Sequence, residues 1–331
     1  MRKWITYTSV LHPTEPANNT PLKLNGTRQN DQRISIINIL QLLVLNGKEK
    51  YQDVVNLPYI ESKDASKIYY EMFGDGKSYP IILIHPIGGN TDIWEHEIQF
   101  ILKKGFRVIA YELRGHNRST IGKKRDFTMH DLSDDLRILI DELNIKKCTL
   151  IGHSIGGAIA SIYAKQYPQN IDAIIFINSA SKRIPDKDLE KHHTTRRIAV
   201  SKGMAALAEW NKENNKDAKT TFADQKTWNY FKEMFTKTSV GGFVAATKAL
   251  YTMPDGKEDV TLALKDTRIK LFGIVANDDR VFLKLIQDMK KDIPNLEVKV
   301  IDGCDHWMIV ENPGAVDKAL TEFLDTIKAL I

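Results

Sequence analysis

The sequence predicts an α/β fold built on a mostly parallel, doubly wound sheet. From residue 80 onward, strongly apolar runs of strand length alternate with segments of helical periodicity. The apolar runs are almost continuous, as expected of parallel strands that helices cover on both faces. A chain of 331 residues is also long enough to bury a substantial core around such a sheet.

Eight runs are predicted to be strands. The first two form a meander that leads into the core, and the other six are buried. Their predicted bounds are residues 57–62, 67–73, 80–85, 106–112, 148–153, 172–178, 268–275 and 296–302. The intervening helices include an amphipathic one that closes the chain at residues 319–330.

Residues 182–264 break this alternation. They contain several helical stretches and no convincing core strand, so we expect an inserted helical cap over about this interval. The insert lies between the strand that ends at Asn178 and the strand that begins near Arg268. It should therefore project from the carboxyl end of the sheet and cover the crevice there.

Residues 1–56 do not join the pattern. We expect them to be an N-terminal extension, either disordered or the product of an upstream start site, with the folded domain at residues 57–331. The beginning of the chain does not read as a signal peptide. The apolar segment 34–45 falls short of the roughly 20 residues needed to span a bilayer and is predicted to be a docked helix rather than a peripheral anchor. We expect a cytoplasmic protein without a membrane span.

Composition and charge exclude several classes of function. The net charge of +5 comes from lysines spread along the chain among acidic residues, which argues against nucleic-acid binding. Cys148 and Cys304 lie far apart, so neither a disulfide framework nor a zinc site is expected. Motifs for metal, nucleotide or dinucleotide binding are missing from the sequence. We predict chemistry that needs no metal and no cofactor.

A candidate nucleophile lies in TLIGHSIGG, residues 149–157. Gly152, Ser154 and Gly156 form a G-x-S-x-G pattern between a strand and a helix. In such an elbow the serine takes strained backbone angles, so the residues two before and two after it must lack side chains. Because three fixed positions match by chance in about one of ten chains of this length, other residues must support the interpretation.

Two loops at strand ends late in the chain supply an acid and a base. VANDDRV follows one strand and GCDHW follows the next, which gives the order Ser, Asp, His. We assign His306 as the base and Asp279 as the acid, with Asp278 as an alternative acid. Asp305, beside the base, is expected to be solvated. His153, next to the nucleophile, is given no catalytic role because its side chain should point away.

A second glycine turn, HPIGGN at residues 85–90, also follows a strand. We predict that the backbone N–H groups of Ile87 and Ile155 form an oxyanion hole; the alternative for the first loop is a plain glycine turn. The loop at residues 111–119 is expected to order the surroundings of the site rather than take part in chemistry.

Trp210, Phe243 and Met204 on the inserted segment are candidate walls of a substrate pocket. The alternative is that they form the core of the cap, because aromatic and methionine residues at helical spacing often do so. A basic group in the same region could meet a substrate carboxylate, or it could be a solvated face. Its members are Lys182, Arg183, Arg196 and Arg197.

Five motifs in order, HPIGG, RGHNRS, GHSIGG, NDD and GCDHW, resemble the α/β-hydrolase fold family over residues 57–331. Within that family the chain is most similar to 3-oxoadipate enol-lactonases and related small serine esterases, in KIYYEMFGDG, RIAVSKGMAALAEW and SVGGFVAATKAL. It departs from the family pattern at Glu112, Asn117 and Ala276, where aspartate, glycine and glycine are usual.

The resemblance implies a serine hydrolase that cleaves a small ester or lactone through an acyl-enzyme. Three alternatives stay open: carbon–carbon bond hydrolysis, cofactor-free haloperoxidase or perhydrolase chemistry on the same triad, and a non-catalytic hydrolase-like ligand receptor. The natural substrate and the oligomeric state are not predicted.

Overall fold

An eight-stranded sheet is the centre of the computed structural model, which describes residues 58–214, 224–256 and 259–331. In chain order the described strands are Tyr59–Glu61 (β1), Lys67–Phe73 (β2), Pro80–Ile84 (β3), Arg107–Tyr111 (β4), Cys148–His153 (β5), Ile171–Ile177 (β6), Lys270–Ala276 (β7) and Glu297–Ile301 (β8). Their order across the sheet is β1-β2-β4-β3-β5-β6-β7-β8. Strands β3 and β4 are exchanged relative to their order in the chain, so β3 lies beside β5 in the middle of the sheet.

The sheet is mostly parallel. Strand β2 pairs antiparallel with both β1 and β4, and all the later pairs are parallel. Every residue of β3 and β5 is buried, which fits strands that are covered on both faces. The predicted parallel α/β fold is thus confirmed.

Helices cover the sheet on both sides. The described helices are Glu95–Lys103 (α1), Met129–Glu142 (α2), Ile155–Gln166 (α3), Asp186–Leu189 (α4), Lys191–Asn214 (α5), Gln225–Thr236 (α6), Val240–Ala249 (α7), Val260–Lys265 (α8), Arg280–Asp292 (α9), Met308–Glu311 (α10) and Pro313–Lys328 (α11). Residues of α2, α3 and α9 pack into one apolar layer, and residues of α1 and α11 pack into the other.

The interval between β6 and β7 contains helices α4 to α8, and within its described residues no strand occurs. Helix α5 is interrupted at Gly203, whose φ of 82° and ψ of 173° are not helical. Phe231, Phe235 and Phe243 from this interval pack into the same apolar layer as α1 and α11. Part of the inserted segment therefore shares a core with the sheet.

The predicted extension at residues 1–56, including the apolar segment 34–45, lies outside the described residues. Among the helices that the structure does describe, none combines the length and the apolar character required to cross a membrane.

Candidate active site

The tight turn between β5 and α3 holds Ser154 in a strained conformation, with φ 55° and ψ −121°. A Cβ added at Gly152 would lie 2.2 Å from the backbone nitrogen of Gly157. One added at Gly156 would lie 2.2 Å from the carbonyl oxygen of Ile84 in β3. Both neighbours are backbone atoms that cannot move aside, so the turn requires glycine at these positions, as the pattern predicted.

Two hydrogen bonds attach this turn to the sheet. The N–H of Ser154 donates to the carbonyl oxygen of Ile177 at 3.0 Å. The Ser179 hydroxyl donates to the carbonyl oxygen of Ser154 at 2.5 Å. Because both backbone groups of Ser154 are bonded to the end of β6 or the residues after it, the serine is held rigidly while its side chain stays partly exposed.

The side chains of Ser154, His306 and Asp279 form one continuous chain of hydrogen bonds. Ser154 Oγ lies 3.0 Å from His306 Nε2, and His306 Nδ1 lies 2.6 Å from Asp279 Oδ2. The Asp279 side chain is only 8 % exposed, whereas Asp278 is exposed. The structure therefore brings Asp279, and not Asp278, to the imidazole.

The proton positions follow from the chemistry of the partners. A carboxylate oxygen accepts, so Nδ1 of His306 carries the proton and donates it to Asp279. In the neutral ring Nε2 is then an acceptor, and the Ser154 hydroxyl donates to it. This is the arrangement that a base needs before it takes the serine proton.

Asp279 has a second role at the start of α9. Its Oδ1 accepts the backbone N–H of Phe282 at 3.2 Å and so caps the helix. The positive end of the helix dipole stabilises the ionised carboxylate there. The Phe282 ring stacks on His306 with centroids 5.2 Å apart and an interplanar angle of 22°. The loop and the helix together fix the imidazole.

The side chains of His153 and Asn178 hold the backbone of His306 in place, and neither role was predicted from the sequence. His153 Nε2 donates to the carbonyl oxygen of His306 at 2.7 Å, and Asn178 Nδ2 donates to the same oxygen at 3.1 Å. Burial, and to a lesser extent the neighbouring His306, holds the pKa of His153 well below its usual range, so the ring is neutral. The sequence did contain a signal for these contacts, because a polar side chain at the end of a wholly buried strand needs a hydrogen-bond partner.

Asp305 corrects one expectation, because it is not solvated. The residue is 3 % exposed, and its Oδ1 accepts the backbone N–H of Trp307 at 3.1 Å. Its own N–H donates to Glu311 at 2.8 Å. The carboxylate closes the turn that carries His306, which explains its burial.

The loop after β3 is fixed by His85. The N–H of Leu113 donates to Nε2 of His85 at 2.9 Å, so the ring proton is on Nδ1, which donates to the carbonyl oxygen of Pro86 at 2.7 Å. Burial holds the pKa of His85 well below its usual range. Gly88 has φ 82°, and a Cβ there would lie 2.4 Å from the ring of Phe235. The backbone around Ile87 is thereby held in one conformation.

The two predicted oxyanion donors lie at neighbouring strand ends. Ile84 of β3 pairs with Gly152 of β5, so the loops that carry Ile87 and Ile155 leave the sheet side by side. Ile155 is the first residue of α3, where the helix offers its N–H no acceptor. Among the backbone hydrogen bonds of the described residues, neither amide is a donor. Both are available to a ligand.

A small pocket of about 20 Å³ lies beside Ser154. Its other lining residues are mostly apolar and come from α2, α3, the segment after β6 and α9: Met129, Ile155, Ala158, Ala180, Lys182, Ile184, Met253 and Phe282.

The predicted wall residues Met204, Phe243 and Trp210 are not among those that line this pocket. Met204 and Phe243 are buried in the apolar layer, and Trp210 packs against that layer. The ring of Phe243 lies edge-on to Phe235 with centroids 5.9 Å apart. The structure thus places these side chains where the alternative interpretation did, in the core that joins the inserted helices to the sheet.

The loop after β4 shows how the departures from the family pattern fit together. Glu112 is fully buried and pairs with Arg118 at 2.6 Å. Burial raises the pKa of Glu112, and Arg118 opposes this. Asn117, with φ 45°, donates from its side chain to Glu112 at 2.8 Å. Glu112, which is longer than the usual aspartate, and Asn117 therefore provide each other with a hydrogen-bond partner, and these contacts order the loop.

Within the described residues, no group of three or more His, Cys, Asp or Glu side chains is arranged to hold a metal ion. A parallel sheet with a serine at the elbow after β5, and an acid and a base after β7 and β8, defines a hydrolase of the α/β type. The chain belongs to the alpha/beta hydrolase fold family, whose model matches residues 79–313. The predicted family is confirmed.

The chain is similar to several characterised proteins. A solved carboxylesterase structure from Nitrososphaera gargenis is 50 % identical, with a TM-score of 0.79 over 83 % of this chain and 100 % of that one. A non-heme chloroperoxidase of Kitasatospora aureofaciens is 27 % identical over 81 % of this chain and its own full length. The enol-lactonase of Burkholderia xenovorans is 21 % identical, with a TM-score of 0.70 over 81 % of this chain and 100 % of that one, and shows the fold alone.

Proposed function

We propose that the protein is a serine hydrolase that cleaves small carboxylic esters or lactones through an acyl-enzyme. The observation that carries the proposal is the unbroken chain from Ser154 through His306 to Asp279, with contacts of 3.0 and 2.6 Å. The 50 % identity to a carboxylesterase over 83 % of the chain supports the ester bond as the target.

In the proposed mechanism each residue of the triad acts in turn. Ser154 Oγ attacks the ester carbonyl while its proton passes to Nε2 of His306. Asp279 keeps the other ring nitrogen protonated and stabilises the imidazolium. His306 then gives the proton to the leaving alkoxide as the C–O bond breaks, which leaves the acyl group on Ser154. Water, activated by the same imidazole, releases the acid and restores the serine.

The amides of Ile87 and Ile155 stabilise the carbonyl oxygen as it becomes negative. Backbone donors held in place before the reaction need no reorganisation, and the loss of one such donor costs about 3 kcal/mol in the barrier. His85 supports this role, because its bonds to Leu113 and Pro86 fix the first loop.

We also propose that the inserted helices act as a cap over the site. Ile184 and Met253 of this segment line the pocket beside Ser154. Phe235 lies against Gly88 in the predicted oxyanion loop. Such a cap excludes water from the acyl-enzyme except where the pocket opens.

Perhydrolysis is a second candidate activity. The chloroperoxidase relative matches along its full length, and a bifunctional esterase/perhydrolase of Acinetobacter calcoaceticus is 33 % identical over 34 % of this chain and 40 % of its own. In this reaction hydrogen peroxide replaces water in attacking the acyl-enzyme, and the product is a peracid instead of an acid. The same triad and oxyanion donors serve both reactions.

A screen of short acyl esters, simple lactones and dicarboxylic enol-lactones tests the proposal, with and without hydrogen peroxide. We expect turnover of at least one ester or lactone and its loss, by a factor of about 10⁶ in kcat, in Ser154→Ala. Peracid formed only in the presence of peroxide would add the second activity. If the folded protein turns over none of these compounds, or if Ser154→Ala is as active as the wild type, the proposal is wrong.

A further inference from the structure

A groove of about 580 Å³ adjoins the small pocket beside Ser154. Charged side chains dominate its lining, with six basic and two acidic residues: Lys182, Arg183, Lys187, Arg280, Lys284, Lys291, Asp288 and Asp292. Lys182 lines both the groove and the pocket. The groove and the pocket therefore meet at this side chain.

The acids in the groove do not neutralise its bases. Asp288 pairs with Lys284 and Lys291, both at 2.6 Å. Asp292 pairs with Lys182 at 2.5 Å. Arg280 has no ion pair among the described residues, although it directly follows Asp279 in the chain. Arg183 pairs with Asp186 and Asp255, which do not line the groove. The positive charge that remains in the groove therefore belongs to Arg280, Lys187 and the Lys284–Asp288–Lys291 group.

Lys182 is placed to meet a substrate. Its side chain is 21 % exposed, and it is the one charged residue among those that line the pocket beside Ser154. An ammonium group has three N–H donors, and the contact with Asp292 occupies one of them. The others are available to an oxygen that enters from either the pocket or the groove.

We propose that the groove binds a carboxylate of the substrate, so that the preferred substrates are esters carrying a free carboxylate a few carbon atoms from the scissile bond. The inference rests on the proposed ester hydrolysis. Because Asp292 already offsets the charge of Lys182, the positive charge that remains in the groove is modest and suits a monoanion better than a phosphate dianion. Such a contact selects substrate by binding, so it should act on KM.

Two pairs of esters test this in the full-length protein. Monoethyl glutarate and the neutral ethyl glutaramate place the carboxylate on the acyl side. 4-Butyryloxybenzoate and the neutral 4-butyryloxybenzamide place it on the alcohol side. We expect kcat/KM to favour the acidic member of at least one pair by about tenfold or more, through a lower KM.

Lys182→Met should abolish this preference by raising KM of the acidic member, whereas Lys182→Arg should retain it. Lys104→Met is the matched control, because Lys104 has a similar exposure of 27 % and a similar ion pair, with Asp325 at 3.1 Å, outside the groove. Turnover of the neutral esters reports that each variant is folded.

Three outcomes are distinguishable. A preference that disappears only in Lys182→Met supports the inference. Equal turnover of both members in each pair, or a preference that Lys182→Met preserves, overturns the inference and leaves the proposed function standing. If no ester of either pair is hydrolysed and Ser154 does not react with a fluorophosphonate, the proposed function fails and the inference fails with it.

Discussion

Adjacent aspartates at residues 278 and 279 have different surroundings. Asp279 is largely buried, caps α9 and reaches His306, whereas Asp278 is exposed to solvent. Sequence reasoning assigned Asp279 but left Asp278 open, because the direction of each side chain depends on how the loop enters the helix. The N-cap geometry decides between them.

This difference predicts a large loss of activity for one conservative variant and almost none for the other. Asp279→Asn removes the charge that stabilises the imidazolium and permits the wrong ring tautomer, so kcat for ester hydrolysis should fall by about 10⁴. Asp278→Asn, the matched control, should stay within about twofold of the wild type, because exposed surface substitutions have small effects. Steady-state kinetics on one ester measure both, and a larger loss in Asp278→Asn would reverse the assignment.

His153 is a positioning residue whose effect is testable. His153→Leu removes the 2.7 Å bond to the carbonyl oxygen of His306, so the imidazole should lose its alignment. We expect kcat to fall by about tenfold or more with little change in KM. His153→Gln, which keeps an N–H donor, should recover part of the loss.

A structural role alone would give a different pattern. If His153→Leu lowers stability to urea but leaves kcat of the folded fraction unchanged, or if the Gln variant recovers nothing while folding equally well, His153 does not position the base.

The elbow is the element on which the site depends most. Gly156→Ala should destabilise the protein by about 1–3 kcal/mol, because its Cβ would meet the backbone of Ile84 in the centre of the sheet. Gly314→Ala is the control, since Gly314 is also near a helix start and has open space around it. That variant should be neutral or more stable by up to about 1 kcal/mol. Urea unfolding of both variants measures the contrast, and equal effects would contradict the packing argument.

Elements of the sheet were predictable because parallel strands must be apolar on both faces. The predicted strand bounds differ from the observed ones by at most two residues at either end. Details of the inserted segment were not predictable. Helical periodicity shows that Met204 and Phe243 lie on an apolar face, but it does not show whether that face lines a pocket or packs against a core. The break of α5 at Gly203 was likewise not visible in the helical periodicity of the sequence.

At the scale of the whole molecule, buried neutral histidines link stability to pH. His116 is fully buried, and burial lowers its pKa to about 4. The unfolded chain, with a pKa near 6.5, therefore binds more protons between these values. The stability contributed by neutral His116 is complete above about pH 6.5 and is lost as the pH falls toward about 4.

A variant isolates this effect from the other titrating groups. His116→Gln cannot titrate, so the stability advantage of the wild type over it should shrink by up to about 1.4 kcal/mol for each pH unit below about 6.5. Urea unfolding of both proteins at about pH 7.5 and about pH 5 measures the change. An advantage that is the same at both pH values would show that the burial of His116 does not affect its titration.

The fold also explains which parts of the site the sequence could reveal. Ser154 and His306 are 152 residues apart, yet they meet because the carboxyl ends of parallel strands share one edge of the sheet. Motifs after strands therefore predicted the triad. His153 lies inside the GHSIGG motif and Lys182 belongs to the basic group that the sequence singled out, but the contacts of both, and those of Asn178, depend on distances across the fold. The three-dimensional structure is needed to identify these contacts.

The central claim is that Ser154 is a nucleophile activated by His306. Reaction with a fluorophosphonate probe, followed by peptide mapping, tests it most directly. We expect one phosphonyl group on Ser154 of the wild type, none on Ser154→Ala, and much slower labelling of His306→Ala. Folded wild-type protein that stays unlabelled, or that carries the label elsewhere while Ser154→Ala reacts at the same rate, would contradict the account.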